Sequence, residues 1–177
     1  MQEKTHAERM KSVLSKCSTF YNGSTEIWEQ NKEFVQDIVN GKKILEIGCG
    51  YNGGLSRLLL SMGISDYIGI DINRTAIEQS KRLIPMGRFL WDDPIYIISS
   101  LEEPHIILSS HLMDDTIIPD RGYGRDLIRA ISEKTQKGNH TIHWSGFYKD
   151  FYQYFLDSGF EDFRQGLTEQ FRIYRKK

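Results

Sequence analysis

The chain has little cysteine, little proline and no long apolar run. Cys17 and Cys49 are its only cysteines, and neither has a partner at metal-ligand spacing, so no metal site is expected. No stretch approaches the roughly 18 uncharged apolar residues that a membrane-crossing helix needs. The first residues, MQEKTHAERMK, are charged where a secretory leader would be apolar. The expectation is a soluble, cytoplasmic protein. With four prolines and no repeat or Pro/Gly-rich linker, nothing divides the 177 residues, a length that suits one core. An excess of one charge is missing too. Twenty-three Lys and Arg stand against 24 Asp and Glu, net −1, so no overall field favours nucleic acid or anionic lipid. The basic end, Arg172, Arg175, Lys176 and Lys177, reads as a solvated strand terminus.

What the chain does have is alternation. Thr5 to Cys17 reads as a helix, as does Ser24 to Val39 with Ile27, Phe34, Val35 and Ile38 on one face. Ser24 suits an N-cap, but Ile27 stands where a capping box needs Glu or Gln. Lys43 to Ile47 is a short apolar run opening onto glycines, the pattern of a buried parallel strand. Leu55, Leu58, Leu59 and Met62 mark a helix closed by Gly63. Tyr67 to Asp71 is the second strand and Arg74 to Ile84 the next helix, stopped by Pro85.

Chain reach fixes the third strand. Ile95 to Ser99 has the stronger β propensity, but Ile106 to Ser109 follows too closely for a parallel crossover between them. Arg88 to Asp92 is therefore the strand, and Asp93 caps a short helix with Pro94 at its first position. Ile106 to Ser109 is the fourth strand, Gly124 to Lys137 a helix, and Thr141 to Trp144 the fifth strand. Tyr148 to Ser158 is a last helix, before a hairpin of Glu161 to Gly166 and Glu169 to Tyr174. The sum is an α/β sandwich, mostly parallel with one antiparallel strand.

In such sheets ligands bind at the carboxyl ends of the strands. The first strand ends in Glu46-Ile-Gly48-Cys49-Gly50-Tyr-Asn-Gly53, and Asp71 lies twenty-one residues after Gly50. The glycine spacing matches a dinucleotide fingerprint equally well. Glu46 separates the two readings. A carboxylate there would repel a pyrophosphate but would pair with a cationic ligand. A salt bridge from Glu46 to Lys43 is the structural alternative, as N-capping is for Asp71 and turn formation for Asp92 and Asp93.

On these residues the sequence resembles the class I (Rossmann-like) S-adenosylmethionine-dependent methyltransferases, from Lys42 to about Phe160. The resemblance implies a three-layer sandwich with a seven-stranded, mostly parallel sheet of order 3-2-1-4-5-7-6, the last strand antiparallel. It implies an N-terminal helical cap over residues 1–40 and the methyltransferase domain over 41–177. The cofactor would be S-adenosyl-L-methionine, with S-adenosyl-L-homocysteine as product. Glu46, Gly48, Cys49 and Gly50 would form its loop, and Asp71 and Ile72 would meet the ribose. Asp92 would meet the adenine amine, and Ser109 would lie beside the methionine end. Tyr21 and Trp28 are candidate lid residues.

Methyl transfer from a sulfonium needs orientation and, for a protonated acceptor, a base. His111, Asp114, Asp115 and His143, at the ends of strands four and five, are the candidates. No Asn/Asp-Pro-Pro-Tyr/Phe follows strand four, and no basic cluster suggests RNA. The acceptor site falls to the N-terminal helices, Thr116 to Tyr123 and the strand-five edge. The expected acceptor is a nitrogen or oxygen of a small molecule, and the protein a monomer or homodimer. The alternatives are an RNA or protein methyltransferase needing a partner, and a non-methylating S-adenosylmethionine binder.

Overall fold

The computed structural model describes residues 5–17, 26–51, 54–110, 117–144, 149–165 and 171–177. The strands are β1 (Ile44–Ile47), β2 (Tyr67–Asp71), β3 (Arg88–Trp91), β4 (Ile106–Ser110), β5 (His140–Trp144), β6 (Phe160–Gln165) and β7 (Phe171–Lys176). They form one seven-stranded sheet of order β3-β2-β1-β4-β5-β7-β6, as the resemblance implies. The first five run parallel, and β7 is antiparallel to both β5 and β6. β1 and β4 are neighbours at the centre, so the chain reverses its direction of travel across the sheet there, and in open α/β sheets such a reversal is where ligands bind, outside the carboxyl ends of the strands.

Helices cover both faces. α1 (His6–Leu14), α6 (Pro94–Ser100), α7 (Arg121–Lys134) and α8 (Lys149–Asp157) pack on one side, around Leu45, Ile47, Ile70 and Ile107. α2 (Glu26–Gln30), α3 (Lys32–Val39), α4 (Gly54–Ser61) and α5 (Arg74–Leu83) pack on the other, around Ile44, Leu108 and Ile142. Burial on both faces explains why the central strands read as unbroken apolar runs. Among the described residues no helix is long and apolar enough to cross a membrane.

The reach argument for β3 holds. Ile95 to Ser99 lies in α6, whose N-cap Asp93 accepts from the Ile95 amide at 3.0 Å, with Pro94 opening the helix. Three local readings change. The helix expected over 24–39 is, over its described residues 26–39, two helices meeting at Asn31, whose side-chain amide donates to the Ile27 carbonyl at 2.7 Å, and the expected N-cap Ser24 lies outside the described residues. α7 begins at Arg121 rather than Gly124, because Asp120 accepts from the Tyr123 amide at 3.0 Å. The Arg121 to Tyr123 stretch, expected in the acceptor site, is thus the first turn of that helix. Gly124 suits this packing, since a Cβ there would come within 2.8 Å of the Phe151 ring. Third, the basic end is paired rather than merely solvated. Arg172 bonds to Asp162, Arg175 Nε bonds to Glu161 at 2.6 Å, and Lys176 Nζ reaches Ser132 and the Ser158 carbonyl.

Candidate cofactor site

The glycine loop is bent by two left-handed residues. Gly48 has φ 75° and Gly50 has φ 64°, conformations that side chains resist. The amides of Gly48 and Cys49 both donate to the Ile70 carbonyl, at 2.8 and 3.0 Å, pinning the loop to β2. Ser80 on α5 donates to the Gly50 carbonyl at 2.9 Å. Cys49 is wedged between the glycines, and burial pushes its thiol well up, so it fills space as a neutral group.

Glu46 lies beneath this loop, 2% exposed. It makes no bridge to Lys43, which pairs with Asp66 and Glu103 at the opposite end of the strand. Instead Tyr67 Oη donates to Glu46 Oε2 at 2.6 Å and Ser56 Oγ approaches the same oxygen at 3.2 Å. Among the described residues no donor meets Oε1. Burial lifts the carboxyl to about 7, against the lowering effect of those two hydroxyls. A buried carboxylate with an open oxygen is a receptor for a cation. Gly69 stands opposite Glu46 in the sheet register, and a Cβ there would fall 2.7 Å from Tyr67 Oη. The bare glycine lets the tyrosine lie across to the acid. Tyr67, Ser56 and Gly69 were missed by sequence reasoning because no motif marks them.

Asp71 ends β2. Its Oδ2 accepts from the Gly50 amide at 2.9 Å and its Oδ1 from the Asn73 amide at 2.7 Å. Desolvation raises this carboxyl despite those bonds. Asn73, not Asp71, caps α5, accepting from Thr75 and Ala76 amides, so the capping alternative is removed. Ile72 is half-buried, and its carbonyl accepts from Trp91 Nε1 at 3.0 Å. Asp92 follows β3, and its Oδ1 accepts from the Asp93 amide at 2.8 Å. Glu46, the glycine loop, Asp71, Ile72 and Asp92 therefore share one end of the sheet.

Ser109 and His143 face each other across β4 and β5 and are wholly buried. Thr141 Oγ1 donates its one proton to the Ile107 carbonyl at 2.6 Å, so it accepts from His143 Nε2 at 2.6 Å. Neutral His143 then accepts from Ser109 Oγ through Nδ1 at 2.7 Å. Burial depresses the imidazole to about 3, and it packs against Phe155 with ring centroids 4.7 Å apart. This placement corrects the expectation of His143 as a base. The ring is sealed in the core, with both nitrogens bonded to neighbouring side chains, and presents no face to solvent. Ser109 likewise turns its hydroxyl inward. Trp28 is buried, donating to Ser110 Oγ at 3.2 Å and packing edge-on to Phe171, so it forms core rather than lid. His111, Asp114, Asp115 and Tyr21 lie outside the described residues.

No protein-family model matches the chain. A curated relative, the fatty-acid O-methyltransferase of Mycolicibacterium smegmatis, is 41% identical over 44 residues, 25% of this chain and 16% of that protein. The chain spans less than a third of the curated relatives it matches. A TehB-like SAM-dependent methyltransferase from Corynebacterium glutamicum superposes with a TM-score of 0.66 at 18% identity, over 97% of this chain and 96% of that one. A 16S rRNA N2 methyltransferase from T. thermophilus, in complex with AdoMet and guanosine, gives 0.65 at 15% identity, over 90% and 44%. The chain has the fold of the class I S-adenosylmethionine-dependent methyltransferases.

Proposed function

We propose that this chain is an S-adenosylmethionine-dependent methyltransferase acting on a nitrogen or oxygen of a small molecule. The observation that carries the cofactor is Glu46, a buried carboxylate under the glycine loop with an oxygen left open. A dinucleotide would bring a pyrophosphate toward that charge, whereas S-adenosylmethionine brings an ammonium and a sulfonium. When bound, the cofactor supplies an activated methyl group. The chain's own residues do the holding. Glu46 faces the cationic methionine end, Asp71 is set to take ribose hydroxyls, and Asp92 faces the nucleobase.

The small-molecule reading rests on charge. The basic cluster at β7, which an RNA ligand would use, is spent on Asp162, Glu161 and the chain's own carbonyls. His111, Asp114 and Asp115 are the proposed bases.

Calorimetric titration with S-adenosylmethionine and with NAD tests the cofactor. Micromolar binding of the first and none of the second is expected, with Glu46→Gln weakening it at least tenfold. The reverse preference would overturn the reading. Methyl transfer to a panel of amines, alcohols and carboxylic acids, set beside ribosomal RNA, then tests the acceptor. Turnover on RNA alone would replace the small-molecule proposal, and binding without turnover on any acceptor would make the chain a binder only.

A further inference from the structure

α1 is held by its own sequence and by the core. Thr5 and Glu8 form a reciprocal capping box at its start, and Met10 and Val13 are buried against the sheet. This leaves His6 and Arg9, three residues apart, on a second face of the helix. Both turn to the carboxyl end of β3. His6 Nε2 donates to the Trp91 carbonyl at 3.1 Å, and its ring meets the Trp91 indole edge-on at 4.8 Å. The Arg9 guanidinium carbon lies over the Tyr96 ring, 3.6 Å from its centroid, and Nη2 reaches Asp92 Oδ2 at 3.5 Å. His6 Nε2 is 3.7 Å from the same oxygen.

We propose that α1 is a wall of the nucleobase subsite and that Arg9 is the positioning residue for Asp92, fixing which purine the site accepts. This rests on the cofactor reading above. A carboxylate has about four lone-pair positions and only accepts. In Asp92 one oxygen is engaged by the Asp93 amide and the other is steered by Arg9, so the group is held in one orientation with lone pairs to spare. The pair is mostly shielded, with 15% of the Arg9 side chain and 14% of the Asp92 side chain exposed, so the attraction is less screened than at an open surface. A fixed acceptor takes a hydrogen bond from the 6-amino group of adenine and repels the 6-keto oxygen of hypoxanthine. Tyr96 beneath the guanidinium holds it in place by a cation–π contact.

The test compares S-adenosylhomocysteine with S-inosylhomocysteine, which differ in the 6-substituent and the N1 proton that accompanies the keto form, by calorimetric titration of the whole chain. The unaltered protein is expected to prefer the adenosine ligand by about tenfold to a hundredfold, the range of one good polar discrimination. Arg9→Gln should lower affinity for S-adenosylhomocysteine about tenfold and leave S-inosylhomocysteine unchanged. Arg9→Lys should restore part of the preference, and adding Arg9→Gln to Asp92→Asn should change nothing more. Parallel weakening of both ligands in Arg9→Gln would make Arg9 a purely structural residue and overturn the proposal. So would an unchanged preference in a variant whose Asp92→Asn counterpart has lost it. If the unaltered chain binds neither ligand, the cofactor reading itself has failed.

Discussion

Two buried titratable side chains pull the stability of this protein in opposite directions with pH. Glu46 has its carboxyl lifted from 4.5 to about 7 by burial, so between those values the folded chain holds a proton that the unfolded chain has released. Its contribution falls as pH rises through that interval. His143 is depressed from 6.5 to about 3, so below 6.5 the unfolded chain takes up a proton that the folded chain refuses. Its contribution falls as pH drops. From 4.5 to 6.5 the two slopes oppose, each about 1.4 kcal/mol per pH unit at most. Glu46→Gln is therefore expected to make stability climb more steeply with pH across this interval, and His143→Gln to flatten or reverse the climb. Urea midpoints at half-unit pH steps measure both, and variants that track the parent at every pH would contradict the burial of these groups.

Among the elements, β2 does most to build the site, and it does so through what Gly69 lacks. Gly69→Ala would set a Cβ 2.7 Å from Tyr67 Oη and 2.8 Å from the Phe89 ring, within a strand buried on both sides. About 1–3 kcal/mol of stability should be lost, as in other overpacked cores. Cofactor affinity should fall with it as Tyr67 leaves Glu46. A thermal melt and a titration on the same sample check the two together, and unchanged values in both would show that β2 has room to spare.

The strands themselves were legible from sequence, because apolar runs of four or five residues between helical periods admit few arrangements, and chain reach removed the rival position for β3. Glu46 and Asp71 were legible from their spacing to the glycines. What sequence could not show is the set of partners drawn in from other elements: Ser56 from α4, Tyr67 from β2, Arg9 from α1. Ser56 and Arg9 sit on ordinary amphipathic helices and Tyr67 on a strand buried on both faces, so the direction of each is set only by packing. Two helix starts have local causes. The Thr5–Glu8 capping box opens α1 where the periodicity places its start. Asp120 caps α7 ahead of the Gly124 that the apolar pattern marks as its beginning.

For the whole molecule, the final hairpin is an interior component rather than a trimming. β7 lies between β5 and β6, with Phe171, Ile173 and Tyr174 fully buried, and Lys176 ties its end to the turn after α8. Deleting residues 171–177 should abolish cooperative unfolding and not merely lower its midpoint, since β6 would lose its only neighbouring strand in the described sheet. Circular dichroism melts of the shortened chain check this, and a sharp transition near that of the parent would contradict it. The molecule carries a net charge of only −1, and beneath its glycine loop burial lifts the Glu46 carboxyl to about 7. On the proposed reading, a cationic ligand seated beside Glu46 would drive that proton out, about half an equivalent near neutrality and more in mild acid. On that reading the site works as a weak-acid ion exchanger. It trades one positive charge for another, so in mild acid the loaded and empty forms of this pocket carry nearly the same charge.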